Sequence, residues 1–155
     1  MHRLFATIAT LIVAIAIVGG FVLAGSPQSE RIRRIDERRI EDLRMINNEI
    51  LTILFEGRPF EPRIISPETG KEMLPEMKRP LPTSLQEVQE QALYQRVNIL
   101  DPVSGEEYEY QVLDETNYEL CALFDMERVG DFDIFWDHPA GRHCFAFNAQ
   151  KPQYR

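Results

Sequence analysis

Closely spaced cysteines are missing from this chain: Cys121 and Cys144 are the only two in 155 residues. Without a CxxC motif or a second pair, the ligand spacing of zinc ribbons and of thioredoxin-type redox sites is absent. An excess of cations is lacking as well. Lys and Arg number 17 against 25 Asp and Glu, a net of −8. Residues 1–57 hold seven of each sign, so the remaining 10 and 18 place the whole imbalance on residues 58–155. A surface of that sign repels phosphate backbones, which argues against nucleic acid as a partner.

The third absence is of charge near the N-terminus. From Leu4 to Ala24 the chain reads LFATIATLIVAIAIVGGFVLA, 21 residues without a charged side chain, preceded by His2 and Arg3. A helix rising about 1.5 Å per residue needs about 20 such residues to cross a bilayer, and this run has no polar face. The expectation is a single-pass transmembrane signal-anchor over residues 1–25, with residues 4–24 contacting the membrane. A cleaved secretory signal is the rival, since VLA precedes Gly25. Arg31, Arg33, Arg34, Arg38 and Arg39 on the far side argue for a cytoplasmic C-terminal part. They are interleaved with Glu30, Asp36, Glu37, Glu41 and Asp42, and two cysteines suit an oxidising space, so the C-terminal domain is expected to be extracytoplasmic.

Beyond the apolar run, the chain reads as a stalk and packing helix at 26–57, an α+β head at 58–150 and a tail at 151–155. Ile32, Ile35, Leu43, Ile46, Ile50 and Ile53 recur at helical spacing, with Glu30/Arg34, Arg33/Glu37 and Arg38/Asp42 four apart, and Arg39 breaks the apolar seam. Gly57 and Pro59 are read as the stop. Prolines at 59, 62, 67, 75, 80 and 82 mark an extended loop with room for one short hairpin. A capping box, Thr83 with Gln86 or Ser84 with Glu87, then opens a short helix with Leu85, Val88 and Ala92 inward. Residues 108–113, 118–124 and 142–149 read as strands, with DETN as the turn between the first two. Tyr118, Leu120, Ala122 and Phe124 share one face, as do His143, Phe145 and Phe147. A half-covered antiparallel sheet with the long helix on its apolar face accounts for this pattern. Two stretches echo each other, IISPETGKEM (64–73) and ILDPVSGEEY (99–108): Ser or Asp before Pro starts a type I turn and Gly ends it.

These pieces resemble a pilin-type protein, and specifically the major pseudopilin of type II secretion. The resemblance lies in RRIEDLRMINNEILTILFEG, LPTSL and DPVSGEEYEYQV, and covers roughly residues 35–125. It implies a pilin-like α+β fold in which an N-terminal transmembrane helix continues into a long amphipathic helix packed on a small antiparallel sheet. It also implies protein partners in an envelope or secretion assembly, a second copy of the chain included. The chain departs from the family pattern at its start. Gly20-Phe21 follows the apolar run where a prepilin cut site would precede it, and no Glu lies inside the run.

The densest collection of reactive side chains is WDHPAGRHCF (136–145). Asp137, His138, His143 and Cys144 are residue types that zinc accepts, and they support the alternative of a small metal-dependent hydrolase or redox enzyme. The spacing is poor, and adjacent His and Cys in a strand point to opposite faces, so a tight loop is expected and a catalytic role is not. Cys121 and Cys144 sit mid-strand and are expected to form a disulfide worth about 3 kcal/mol for a loop of about 24 residues. Two buried thiols and a reactive pair are the alternatives. Asp101, Glu106 and Asp114 are weak calcium candidates beside a solvated acidic rim. Phe132, Phe135 and Trp136, set among acids, are candidate partner-binding aromatics. No cofactor is expected. The overall expectation is a membrane-anchored interaction or structural module.

Overall fold

The computed structural model describes residues 2–24, 27–56, 64–65, 72–73, 76–93, 96–130 and 132–151. Its helices are α1 (His2–Ala24), α2 (Pro27–Leu54) and α3 (Leu85–Gln91), and its strands are β1 (Ile64–Ile65), β2 (Glu72–Met73), β3 (Glu109–Val112), β4 (Asn117–Phe124) and β5 (Gly141–Asn148). The chain divides into two compact units, Met1–Arg34 and Ile35–Arg155.

In the first unit, the hydroxyls of Thr7 and Thr10 donate to carbonyls one turn back, so these polar side chains are satisfied within α1. The expected signal-anchor is not borne out. Among the described residues, no helix is long and apolar enough to cross a membrane. The single-pass topology is corrected accordingly, as is the extracytoplasmic placement of the C-terminal domain that was built on it. The fold class becomes α+β, with three helices and a three-stranded antiparallel sheet, without the expected spanning helix.

In the second unit, α2 buries Ile40, Leu43, Ile46, Ile50, Leu51, Ile53 and Leu54. Each such side chain removed from water contributes about 1.5–3 kcal/mol. Upstream the buried stripe turns polar. Ile35 is only half-buried, while Asp36, Arg39 and Asp42 are buried. The helix closes with Phe55 N–H donating to Leu51 O and Glu56 at φ +53°, a left-handed residue that ends the run. The expected stop, Gly57 and Pro59, lies outside the described residues. Lys78 N–H donates to the Leu54 carbonyl at 2.8 Å and so caps one of the helix's last acceptors.

Ser84 is the N-cap of α3 and accepts from Glu87 N–H, while the Glu87 carboxylate reaches back to the Thr83 N–H and hydroxyl. The capping pair is therefore Ser84 with Glu87, extended to Thr83. Leu85 and Val88 point into the core, as expected. Tyr110 O–H donates to Pro82 O and ties this segment to β3.

The main sheet has the order β3-β4-β5, all antiparallel. Tyr118 pairs with Phe147, Leu120 with Phe145 and Ala122 with His143, so the two predicted apolar faces coincide. Apart from His143, these side chains form one cluster with residues of α2 and α3 and with Trp136. The opposite face of the sheet carries Glu119, Cys121 and Leu123 from β4, with Cys144 and Ala146 from β5.

The echoed turns adopt one register. Ile65 pairs with Glu72 in the β1–β2 hairpin, and Leu100 pairs with Glu107 in the second copy. The second turn shows its chemistry in full: Asp101 Oδ1 accepts from Val103 and Ser104 N–H, and Gly105 takes φ +71°. The corresponding turn residues of the first copy lie outside the described residues.

Candidate functional site

The 137–144 segment does not assemble four free ligands. Cys144 is bonded to Cys121, directly across from it in the β4–β5 register. Asp137 Oδ1 accepts from Gly130 N–H at 2.8 Å, bracing the loop. His138 is bridged to Arg128 through both backbone hydrogen bonds, and its ring stacks on Phe124 at 3.7 Å between centroids. Nδ1 lies 3.1 Å from Pro139 O, and Nε2 is buried without a hydrogen-bond partner. Burial holds this imidazole below its ordinary pKa, against the opposing pull of the Pro139 carbonyl and Asp36. The His143 ring is 6.4 Å away and sits against Phe145. Two imidazoles in an aromatic wall, a bracing carboxylate and an oxidised sulfur describe a packed loop.

Among the described residues one set of His, Cys, Asp and Glu atoms converges: Glu119, Cys121 and Cys144, all within 4.8 Å of one another. The predicted disulfide consumes both of its sulfurs. The calcium candidates do not meet. Asp101 is spent on its own turn and on Arg39. Asp114 Oδ1 accepts from the N–H groups of Thr116 and Asn117 and Oδ2 from the Asn117 amide, and these bonds hold its carboxyl down at about 2. Glu106 is exposed.

The three candidate aromatics separate. Trp136 is buried, 4.7 Å from the Phe145 ring, with the Arg44 guanidinium 5.0 Å above it. Arg44 also pairs with Asp133. Phe135 is half-buried and leans on Trp136, Phe145 and Phe147. Phe132 is 95% exposed, with Val129 at 80% and Ile134 at 71% on the same loop. Ile134–Trp136 form a short 3-10 turn, along which Ile134 is exposed, Phe135 half-buried and Trp136 buried.

The strongest polar constellation is one that sequence reasoning missed. Arg39, 4% exposed, donates from Nε to Asp101 at 2.6 Å and from Nη1 to Asp36 at 2.8 Å and Asp125 at 2.7 Å. Asp36 in turn accepts from Asp125 and Met126 N–H. One guanidinium thus clamps α2, the DPVSG turn and the end of β4. Burial alone would lower the pKa of Arg39, but hydrogen bonds to Asp101, Asp125 and Asp36 outweigh it and raise the value. Burial likewise opposes ionisation of Asp101, and Arg39 with the turn's N–H groups overcomes it and lowers that pKa. One turn further along α2, Asp42 Oδ2 accepts from Asn98 Nδ2 at 2.8 Å and Tyr108 O–H at 3.0 Å. Its pKa is raised by burial, which these donors only partly offset. The visible signal was the interruption of an apolar stripe by Arg39.

No protein-family model, no curated protein and no solved structure matches this chain.

Proposed function

We propose that the chain is a structural or interaction module similar to a pseudopilin, engaging a protein partner in an envelope or secretion assembly rather than catalysing a reaction. The carrying observation is three strongly exposed apolar side chains, Val129, Phe132 and Ile134. Residues beside them are anchored: Arg128 and His138 are paired through the backbone, and Trp136 is rooted in the aromatic core. Anchored neighbours lower the ordering cost of association. The long helix packed on an antiparallel sheet and the DPVSG hairpin support the pseudopilin likeness, while the spent carboxylates and buried imidazole weigh against a reaction centre.

A photoreactive residue placed at Phe132 in cells tests this reading. A discrete adduct, at the mass of a second copy or of another protein, is expected, and it should vanish in Val129→Asp/Ile134→Asp with near-ultraviolet dichroism unchanged. Failure of any adduct to form overturns the interaction role.

A further inference from the structure

The outer face of the β3-β4-β5 sheet presents a second chemistry that the disulfide conceals. Glu119 and Cys121 are two apart on β4 and therefore share a face, and Cys144 is the direct register partner of Cys121 on β5. One carboxylate oxygen and both sulfurs lie within 4.8 Å of one another. We propose that reduction of Cys121–Cys144 turns this face into a Zn²⁺ site with Glu119, Cys121 and Cys144 as its three protein ligands.

Two thiolates and a carboxylate are ligand types Zn²⁺ takes, with bonds of about 2.3 Å to sulfur and about 2.0–2.2 Å to oxygen. Tetrahedral angles at those lengths put the sulfurs about 3.7 Å apart. The cysteines meet this spacing by side-chain rotation, because the ladder between β4 and β5 fixes their backbones opposite each other.

Charge balance also fits. Two thiolates and Glu119 with Zn²⁺ leave one negative charge, and the Arg142 guanidinium lies 3.6 Å from Cys121 Sγ. Arg142 is oriented by Glu109 through contacts of 2.6–3.0 Å, so it stands as a neighbouring cation without filling the metal position. The chemistry is balanced. A dithiol reductant supplies two electrons and two protons, closes its own disulfide and leaves two thiols, whose protons pass to solvent when the metal binds.

The experiment uses the full chain, reduced anaerobically with a phosphine that is then removed, and Co²⁺ as the probe. The reduced protein should develop a thiolate-to-cobalt charge-transfer band that saturates at one equivalent and is bleached by Zn²⁺. The oxidised protein should show none. Glu119→Gln, with both thiols intact, should bind at least about tenfold more weakly. Absence of the band in the reduced chain, or unchanged affinity in Glu119→Gln, overturns the site. Should the reduced chain lose its Trp136 near-ultraviolet dichroism, stoichiometric Zn²⁺ must restore it; a chain that stays unfolded with metal bound also overturns the proposal.

Discussion

Arg39 and Asp42 lie three residues apart on α2, both buried and both fully engaged, yet they solve opposite problems. Arg39 is a cation surrounded by Asp36, Asp101 and Asp125. Asp42 is a carboxylate held by two neutral donors, Asn98 and Tyr108. The first site has its charge compensated several times over, and the second has none of its charge neutralised by a hydrogen-bonded cation. Desolvation is costly in both places, but only at Arg39 does ionic hydrogen bonding outweigh it. The comparison shows that a buried charge is stable as part of a set, and that a single buried carboxylate stays at the edge of tolerance.

The largest break in this comparison comes from Arg39→Met. Three carboxylates would then face one another with no cation, and urea denaturation should register a loss of about 3–5 kcal/mol. A loss below about 1 kcal/mol would mean that the clamp contributes nothing beyond packing. Tyr108→Phe comes next. It removes one donor from the ionised Asp42 while leaving the ring in place, and the same measurement should show a loss of about 2 kcal/mol.

The smallest effect belongs to Asp42→Asn, which keeps the shape and discards the charge. Stability near neutral pH should change by less than about 1 kcal/mol, with the pH dependence carrying the information. The folded pKa of Asp42 is raised, so in the window between the unfolded and folded values the native state binds more protons there than the unfolded chain does. Stability from this site therefore falls as pH climbs from the ordinary carboxylate value through the raised one. Asp101 has a lowered folded pKa, so its contribution is full above the unfolded value and is lost as pH falls through the folded one. Acidification strengthens the first site and weakens the second. Denaturation midpoints followed from about pH 7 to about pH 3 should lose the acid gain in Asp42→Asn and blunt the acid loss in Arg39→Met. Identical profiles in both variants would erase the distinction.

Much of the fold was legible from residue order. Alternation in residues 118–124 and 142–149 marks the inner faces of β4 and β5, because a strand's side chains change sides at every step. The DPVSG frame announces its turn, since Asp before Pro and Gly at positive φ act within five residues. The site was less legible. Phe132, Phe135 and Trp136 form one aromatic cluster in sequence, yet Phe132 is exposed while Trp136, in the 3-10 turn, is buried. Asp101 and Asp114 look equally available, and each is spent on turn N–H groups that composition does not reveal.

Residue order by itself determined the helix and strand periods and the turns, because each depends on neighbours a few positions away; the register that sets Cys121 opposite Cys144 came with the pairing of β4 and β5. Tertiary structure alone decided that Arg39 would meet Asp101 and Asp125, 62 and 86 residues distant, and that Trp136 would pack while Phe132 would not. The reason is physical: the cost of burying a charge or the gain from burying a ring depends on the groups that arrive beside it, and those come from parts of the chain that no local pattern connects.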